Sequence, residues 1–301
     1  MSAPDGLTLL RQALVRCGDG TPWADSQMMG TGSGHRMIRV ETERRLYCFK
    51  WNTRPAAGMF LAEAEGLRAL AETKSVRVPQ VFAVDQEDDG PGWILMEWIE
   101  AGRWGEMNWE RLGEGLAQMH AWGAGAYGYS GDNYLGAAPQ RNAWEADWVR
   151  FFAEQRLGFQ RDWAVQNGCL PPERARALDW LIAHLGDFLG GVARQPSLLH
   201  GDLWGGNVLS ARVGTAVLID PAVYYGDREA EIAFTKLFGG FSARFYQAYQ
   251  SARPLDPGFH ERVDLYNLYH LLNHLNLFGE GYGGAVDAVL RRYAGLTGGR
   301  R

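Results

Sequence analysis

The chain has 301 residues, 46% of them hydrophobic, and a formal charge of −5. That is apolar material enough for a large buried core, and the length favours two domains or lobes over one. An acidic balance excludes a general basic field for neutralising phosphates, so a nucleic-acid partner is not expected.

In chain order, the N-terminal stretch MSAPDGLTLLRQALVRCGDG lacks the basic start and continuous apolar run of a secretory signal. The glycine-rich GTGSGH (30–35) follows, where backbone can approach closely because no side chain intervenes. Strand alternation in LYCFKW (46–51) puts Leu46, Cys48 and Lys50 on one face and Tyr47, Phe49 and Trp51 on the other. MFLAEAEGLRALAE (59–72) has helical period, with Glu63 on the face of Phe60, Leu67 and Leu70 and Glu65 turned to solvent. WILMEWI (93–99) reads as a connecting strand. Residues 1–98 thus form an α+β lobe with a sheet and one main helix.

Beyond residue 99 long amphipathic patterns dominate: Leu112, Leu116 and Met119 behind a candidate Asn108 cap, then 143–168, 173–190 and nearly everything from 229. Two short strands, near 207–210 and 216–219, interrupt this mainly helical second lobe (99–301). No segment reaches the roughly 18 apolar residues of a membrane helix. Cys17, Cys48 and Cys169 have no metal-type spacing and are an odd number, as expected of free thiols in a reducing cytosol. The expectation is a soluble cytoplasmic protein with its site in the cleft between lobes.

The stretch LLHGDLWGGNV (198–208) places Asp202 and Asn207 five residues apart on a loop, and Asp220 ends the next strand. That arrangement suits phosphoryl transfer from a nucleotide. A triphosphate needs Mg²⁺, the metal needs hard oxygen ligands, and a separate carboxylate must orient the attacking hydroxyl. Asp202 suits the hydroxyl, and Asn207 and Asp220 the metal. Lys50 is the candidate for the phosphates, Glu63 its partner, and Gly32 and Gly34 the backbone cover over ATP. The backbone from Glu97 to Ile99 is placed to meet the adenine edge.

HGDLWGGN together with LIDPAVYYGDREAEIA resembles the fructosamine kinase (ketosamine kinase) family, whose fold is that of the protein-kinase-like aminoglycoside phosphotransferases. MFLAEAEGLRAL, RVPQV, LAQMH, DNYLGAAPQRNAWEADWVRFFAEQRL and KLFGGF look like that family in the same order, over nearly the whole chain. GTGSGHRM and Glu231, where the family pattern leads to aspartate, depart from it. The resemblance implies a bilobal fold, Asp202 as base, Asn207 and Asp220 as Mg²⁺ ligands, a Lys50–Glu63 pair, and Trp204 near the sugar. It further implies an ATP- and Mg²⁺-dependent kinase acting on a sugar hydroxyl of small or protein-bound ketoamines, which then shed the sugar. Two alternatives stand beside it: a kinase of the same fold acting on an aminoglycoside, choline or homoserine-like alcohol, and a catalytically silent binding protein.

Several residues invite a plainer reading. Asp132 and Asn133 follow a glycine, as turn residues do. His120 reads as a core histidine at a helix end and His200 as a holder of its loop, while Asp227 and Glu229 read as caps or ion pairs. HLLNH (270–274) spaces two histidines as zinc peptidases do, but Leu271 stands where the glutamate base belongs, so a packed helix is expected.

Overall fold

The structure is a computed structural model, and it describes residues 6–29, 35–191, 193–212 and 214–294. Helix α1 (Gly6–Arg16) buries Leu9, Leu10, Ala13 and Leu14. They pack with Phe49, Trp51 and Trp93 against one face of a five-stranded antiparallel sheet. Its strands are β1 (Trp23–Met29), β2 (Arg36–Thr42), β3 (Leu46–Asn52), β4 (Val81–Gln86) and β5 (Gly92–Glu97), in spatial order β1-β2-β3-β5-β4. The opposite face carries Cys48, Ile94 and Met96, covered by α2 (Met59–Glu72) through Phe60, Leu67 and Leu70. The alternation of LYCFKW therefore divides as expected, with Lys50 on the α2 side. The one main helix expected of the first lobe is α2, and the short, leucine-rich α1 adds to it on the sheet face that α2 leaves bare.

In the second lobe α3 (Glu106–Met119) opens behind Gly105, not Asn108. Asn108 already lies within the helix, its N–H donating to Gly105 O at 3.0 Å, so it is not the cap; its buried side chain donates from Nδ2 to Ser210 Oγ at 3.2 Å instead. A hairpin of β6 (Asn133–Leu135) and β7 (Ala138–Gln140) follows. The helix expected over 143–168 starts at Trp148, where Asp147 accepts from Arg150 N at 2.8 Å. It runs as α4 (Trp148–Phe151), a π-helical stretch (Phe152–Gly158) and α5 (Phe159–Gln166). After α6 (Pro172–Ala183) and α7 (Leu185–Leu189) come β8 (Ser197–Leu199), the hairpin β9 (Val208–Ser210) and β10 (Ala216–Leu218), and β11 (Tyr224–Gly226), which pairs back onto β8. The chain ends in α8 (Arg228–Leu237), α9 (Ala243–Ala252), α10 (Phe259–Phe278) and α11 (Gly283–Ala294). α10 is the spine of this lobe, burying Leu265, Leu268, Leu272 and Leu275.

Contacts between the lobes are polar and close. Leu218 N donates to Arg77 O at 2.9 Å, and Tyr134 OH to Ala57 O at 2.6 Å. Gly66 of α2 meets Pro221, whose Cγ would lie 3.2 Å from an added Cβ. They hold α2 directly against the loop that follows β10.

Candidate active site

Strand β8 delivers His200, Gly201 and Asp202 into the cleft, and buried side chains pin each one. Gly201 has φ +81, and a Cβ there would meet Ala222 O at 1.9 Å, so only glycine fits this turn. Its N–H donates to Glu231 Oε1 at 2.7 Å. Glu231 Oε2 lies 2.9 Å from His120 Nε2, and His120 Nδ1 lies 2.8 Å from Tyr249 OH. His200 Nε2 lies 3.0 Å from Ile219 O, which assigns the proton to Nε2 and leaves Nδ1 to accept from Asp202 N at 3.3 Å. Both histidines are thus holders of the loop, and burial lowers the pKa of each.

A 3₁₀ turn, Gly205–Asn207, brings Asn207 back over Asp202. Asn207 Nδ2 donates to Asp202 O and Asp202 Oδ2, both at 2.9 Å, so the amide oxygen is the atom left for another ligand. Burial pushes the Asp202 carboxyl up to about 7, with Asp220 and Glu231 adding to it against the Asn207 bond. A carboxylate titrating near neutrality is matched to accepting a hydroxyl proton.

Lys50 stands opposite. Its Nζ donates to both oxygens of Glu63 at 3.0 Å and to Asp220 Oδ1 at 2.9 Å. Burial works against the ammonium, but Asp220 and Glu63 outweigh it and hold its pKa above the usual lysine value. Burial also presses on Asp220, yet Lys50 prevails and lowers its pKa. Asp220 has φ 52, an unfavourable backbone for a non-glycine residue and a frequent mark of functional positions.

Two cavities meet at this cluster. One of about 540 Å³ runs between the lobes, lined by Met37, Cys48, Met96, Glu97, Ile99 and Val208 among others. Glu97 lends it backbone and stem, since its carboxylate accepts from Arg77 Nη2 at 2.7 Å and its N–H donates to Gln80 O. The other, about 260 Å³, is lined by Lys50, Glu63, Asp202, Trp204, Asn207 and Asp220. Trp204 is 39% exposed, lies edge-on to Phe238, and folds over Gly206, whose added Cβ would sit 2.3 Å from the indole.

The family model for fructosamine kinase matches residues 11–295. A candidate ketoamine kinase of Synechocystis sp. is 42% identical over 254 residues, 84% of either chain. The chain belongs to the fructosamine kinase family. A chloroplastic protein-ribulosamine 3-kinase of Oryza sativa subsp. japonica is 37% identical over 289 residues, covering 94% of this fructosamine kinase family member and 83% of the rice protein. Among solved structures, a candidate fructosamine-3-kinase from Haemophilus somnus 129PT superposes with a TM-score of 0.86 at 29% identity, covering 94% of this chain and 96% of that one. The aminoglycoside phosphotransferase APH(4)-Ia, 15% identical with a TM-score of 0.66 over 97% and 100% of the chains, shares the fold. The protein-kinase-like architecture expected from the resemblance is therefore the one observed.

Lys50, Glu63, Asp202, Asn207, Asp220 and Trp204 come together around the smaller cavity, and Glu97 and Ile99 line the larger. Gly32 and Gly34 lie outside the described residues. Asp132 Oδ1 accepts from Asn142 N at 2.8 Å, and Asn133, which also lines the smaller cavity, donates from Nδ2 to Val223 O at 2.7 Å, so both brace their loop. Asp227 caps α8 and pairs with Arg194, while Glu229 pairs with Arg262. His270 stacks on Phe234, and no cluster of three metal-ligating side chains occurs among the described residues. Also among the described residues, no helix is long and apolar enough to cross a membrane. Two participants escaped the sequence reading. Glu231 was legible only as a departure from the family pattern, yet it anchors the catalytic loop, and His35, at the end of the glycine stretch, lines both cavities.

Proposed function

We propose that this protein is an ATP- and Mg²⁺-dependent ketoamine kinase that phosphorylates a sugar hydroxyl of a glycated amine. The observation that carries the proposal is the meeting of two cavities at Asp202, Lys50 and Asp220. The larger, apolar space suits a nucleobase, and the smaller one holds the base, the cation and an exposed tryptophan. The names of the rice and Synechocystis sp. relatives point to the same acceptor class.

In this reading Lys50, steadied by Glu63, gathers the triphosphate, and Asp202 orients the acceptor hydroxyl. The hydroxyl oxygen forms its bond to the terminal phosphorus as the bond to the ADP oxygen breaks, and Asp202 takes the proton. The donor set fits a hard cation: Asn207 and Asp220 both line the smaller cavity, and their side chains would offer oxygen ligands. Mg²⁺ held by these two residues would neutralise charge on the phosphates. Trp204 packs a flat face against the sugar or its amine. The phosphorylated ketoamine then loses its sugar, so the reaction serves deglycation.

Incubation with MgATP and a panel of ribulosyl-lysine, fructosyl-lysine, an aminoglycoside and choline, followed by mass spectrometry, tests this. Phosphate on a ketoamine, absent with Asp202→Asn, is the expected result, and the panel also ranks the two sugars. Phosphate appearing solely on the aminoglycoside or choline would refute the acceptor assignment while leaving the kinase chemistry in place.

A further inference from the structure

The smaller cavity has an apolar margin. Trp204 lines it and meets Phe238 edge-on, with ring centroids 6.2 Å apart. Phe238 in turn lies 5.0 Å from the ring of His274, and His274 lies 5.4 Å from Phe278 and 5.0 Å from Tyr282. His274 and Phe278 are one turn apart on α10, and the 3₁₀ turn Glu280–Tyr282 folds Tyr282 back against both. Five rings therefore run without a break from the cavity along the second lobe. Burial does not account for them, since Phe238 is 43% exposed and Phe278 67%. Contiguous exposed apolar surface of this kind marks a place where something binds. Other exposed large apolar side chains among the described residues, such as Val15, Val165 and Trp180, do not border the smaller cavity.

A second contact ties the end of α10 to the same cavity. Gly136 lines the cavity, and a Cβ added there would lie 4.0 Å from Cδ1 of Leu277, next to Phe278 in the chain. The ridge of rings and the acceptor space are thus one continuous surface. On the ketoamine reading above, on which this inference rests, the cavity of about 260 Å³ takes the sugar beside Asp202, and whatever the amine belongs to stays outside, past Trp204. The five rings carry no charge at neutral pH, because burial holds His274 below the usual imidazole range. A free glycated lysine would bring its ammonium and carboxylate to that surface, whereas a peptide brings amide backbone and apolar side chains. We propose that Trp204, Phe238, His274, Phe278 and Tyr282 are a docking ridge for the polypeptide that bears the glycated lysine, and that the ridge selects lysines with apolar neighbours.

Initial rates with saturating MgATP on three acceptors test this: the free glycated lysine, a blocked short peptide with leucine and phenylalanine beside the glycated lysine, and the same peptide with serines there, each in ribulosyl and fructosyl form. In the wild type, kcat/KM for the apolar peptide is expected to exceed that for the serine peptide about tenfold, the scale of burying part of an aromatic side chain. Phe278→Ser is expected to abolish that preference through KM and to leave the free glycated lysine within about twofold of wild type. Phe278→Trp keeps the apolar surface and is expected to keep the preference. Equal rates on the two peptides in the wild type, a preference that survives Phe278→Ser, or an equal loss on all three acceptors would each overturn the docking ridge while leaving the kinase reading in place. A wild-type dimer in light scattering that Phe278→Ser splits would overturn it too, since the ridge would then bind a second copy. Absence of phosphate on every ketoamine would bring down the kinase reading and this proposal with it.

Discussion

Replacing Asp202 by asparagine separates what this carboxyl does for catalysis from what it costs the fold. The asparagine is isosteric and can still accept from Asn207 Nδ2, so the loop geometry is retained. The folded-state pKa is raised from 3.8 to about 7, chiefly by burial. The native protein therefore keeps a proton that the unfolded chain has already lost, and stability falls as pH rises between those two values. A shift of about three units corresponds to about 4 kcal/mol at pH 8, which the neutral asparagine recovers. At roughly pH 5.4, midway between the two pKa values, about half of that gain remains. Removing the base is expected at the same time to lower kcat by about 10²–10⁴-fold. Thermal or urea unfolding of both proteins at pH 8.0 and 5.4, paired with kcat on the best ketoamine, reads both effects. A variant less stable than wild type at pH 8, or a gain unchanged between the two pH values, would refute the burial argument. Near-normal kcat would refute the role as base.

Lys50→Met removes the cation between Glu63 and Asp220. Breaking a buried pair costs about 3–5 kcal/mol, and the low end applies because Asp220 is 46% exposed and can turn to water. A lowered Tm and a fall in kcat/KM for ATP are expected, and unchanged kcat/KM for ATP would remove Lys50 from the nucleotide site. Gly206→Ala puts a methyl group 2.3 Å from the Trp204 indole and must displace it. Steady-state kinetics are expected to show KM for the ketoamine raised about tenfold with KM for ATP unchanged, the signature of lost ground-state binding; equal changes in both would show that Trp204 serves the loop and not the acceptor. Gly201→Ala combines a left-handed backbone, about 1–2 kcal/mol for an L-residue, with a Cβ 1.9 Å from Ala222 O. A lowered denaturation midpoint and loss of turnover are expected, and wild-type values of both would show that the loop is less tightly held than its contacts indicate.

Much of this molecule was legible in the order of its residues. Lys50, Glu63, Asp202, Asn207 and Asp220 could be named because each side chain has a charge or ligand type that phosphoryl transfer requires, and because short-range periodicity states which face of a strand or helix it occupies. The long helices and the β9–β10 hairpin were legible for the same local reason. Other features depend on partners far away in the chain. α1 was missed because its four buried residues make sense only against the sheet face built by Phe49 and Trp51. Asn108 has the residue type of a cap, but α3 begins two residues before it and its amide reaches Ser210, 102 residues on. The three-residue strands β8 and β11 carry too few residues for alternation to register, and they exist because they pair with each other. Asp132 and Asn133 belong to a loop clamp whose acceptor Val223 lies 90 residues beyond Asn133. Charge and ligand type reside in single side chains, so the chemistry on offer can be read from the residues alone. Which groups are buried or paired is set by the folded arrangement, because desolvation and hydrogen bonding depend on residues brought together from across the whole chain; Glu231 beneath Gly201 is the clearest case.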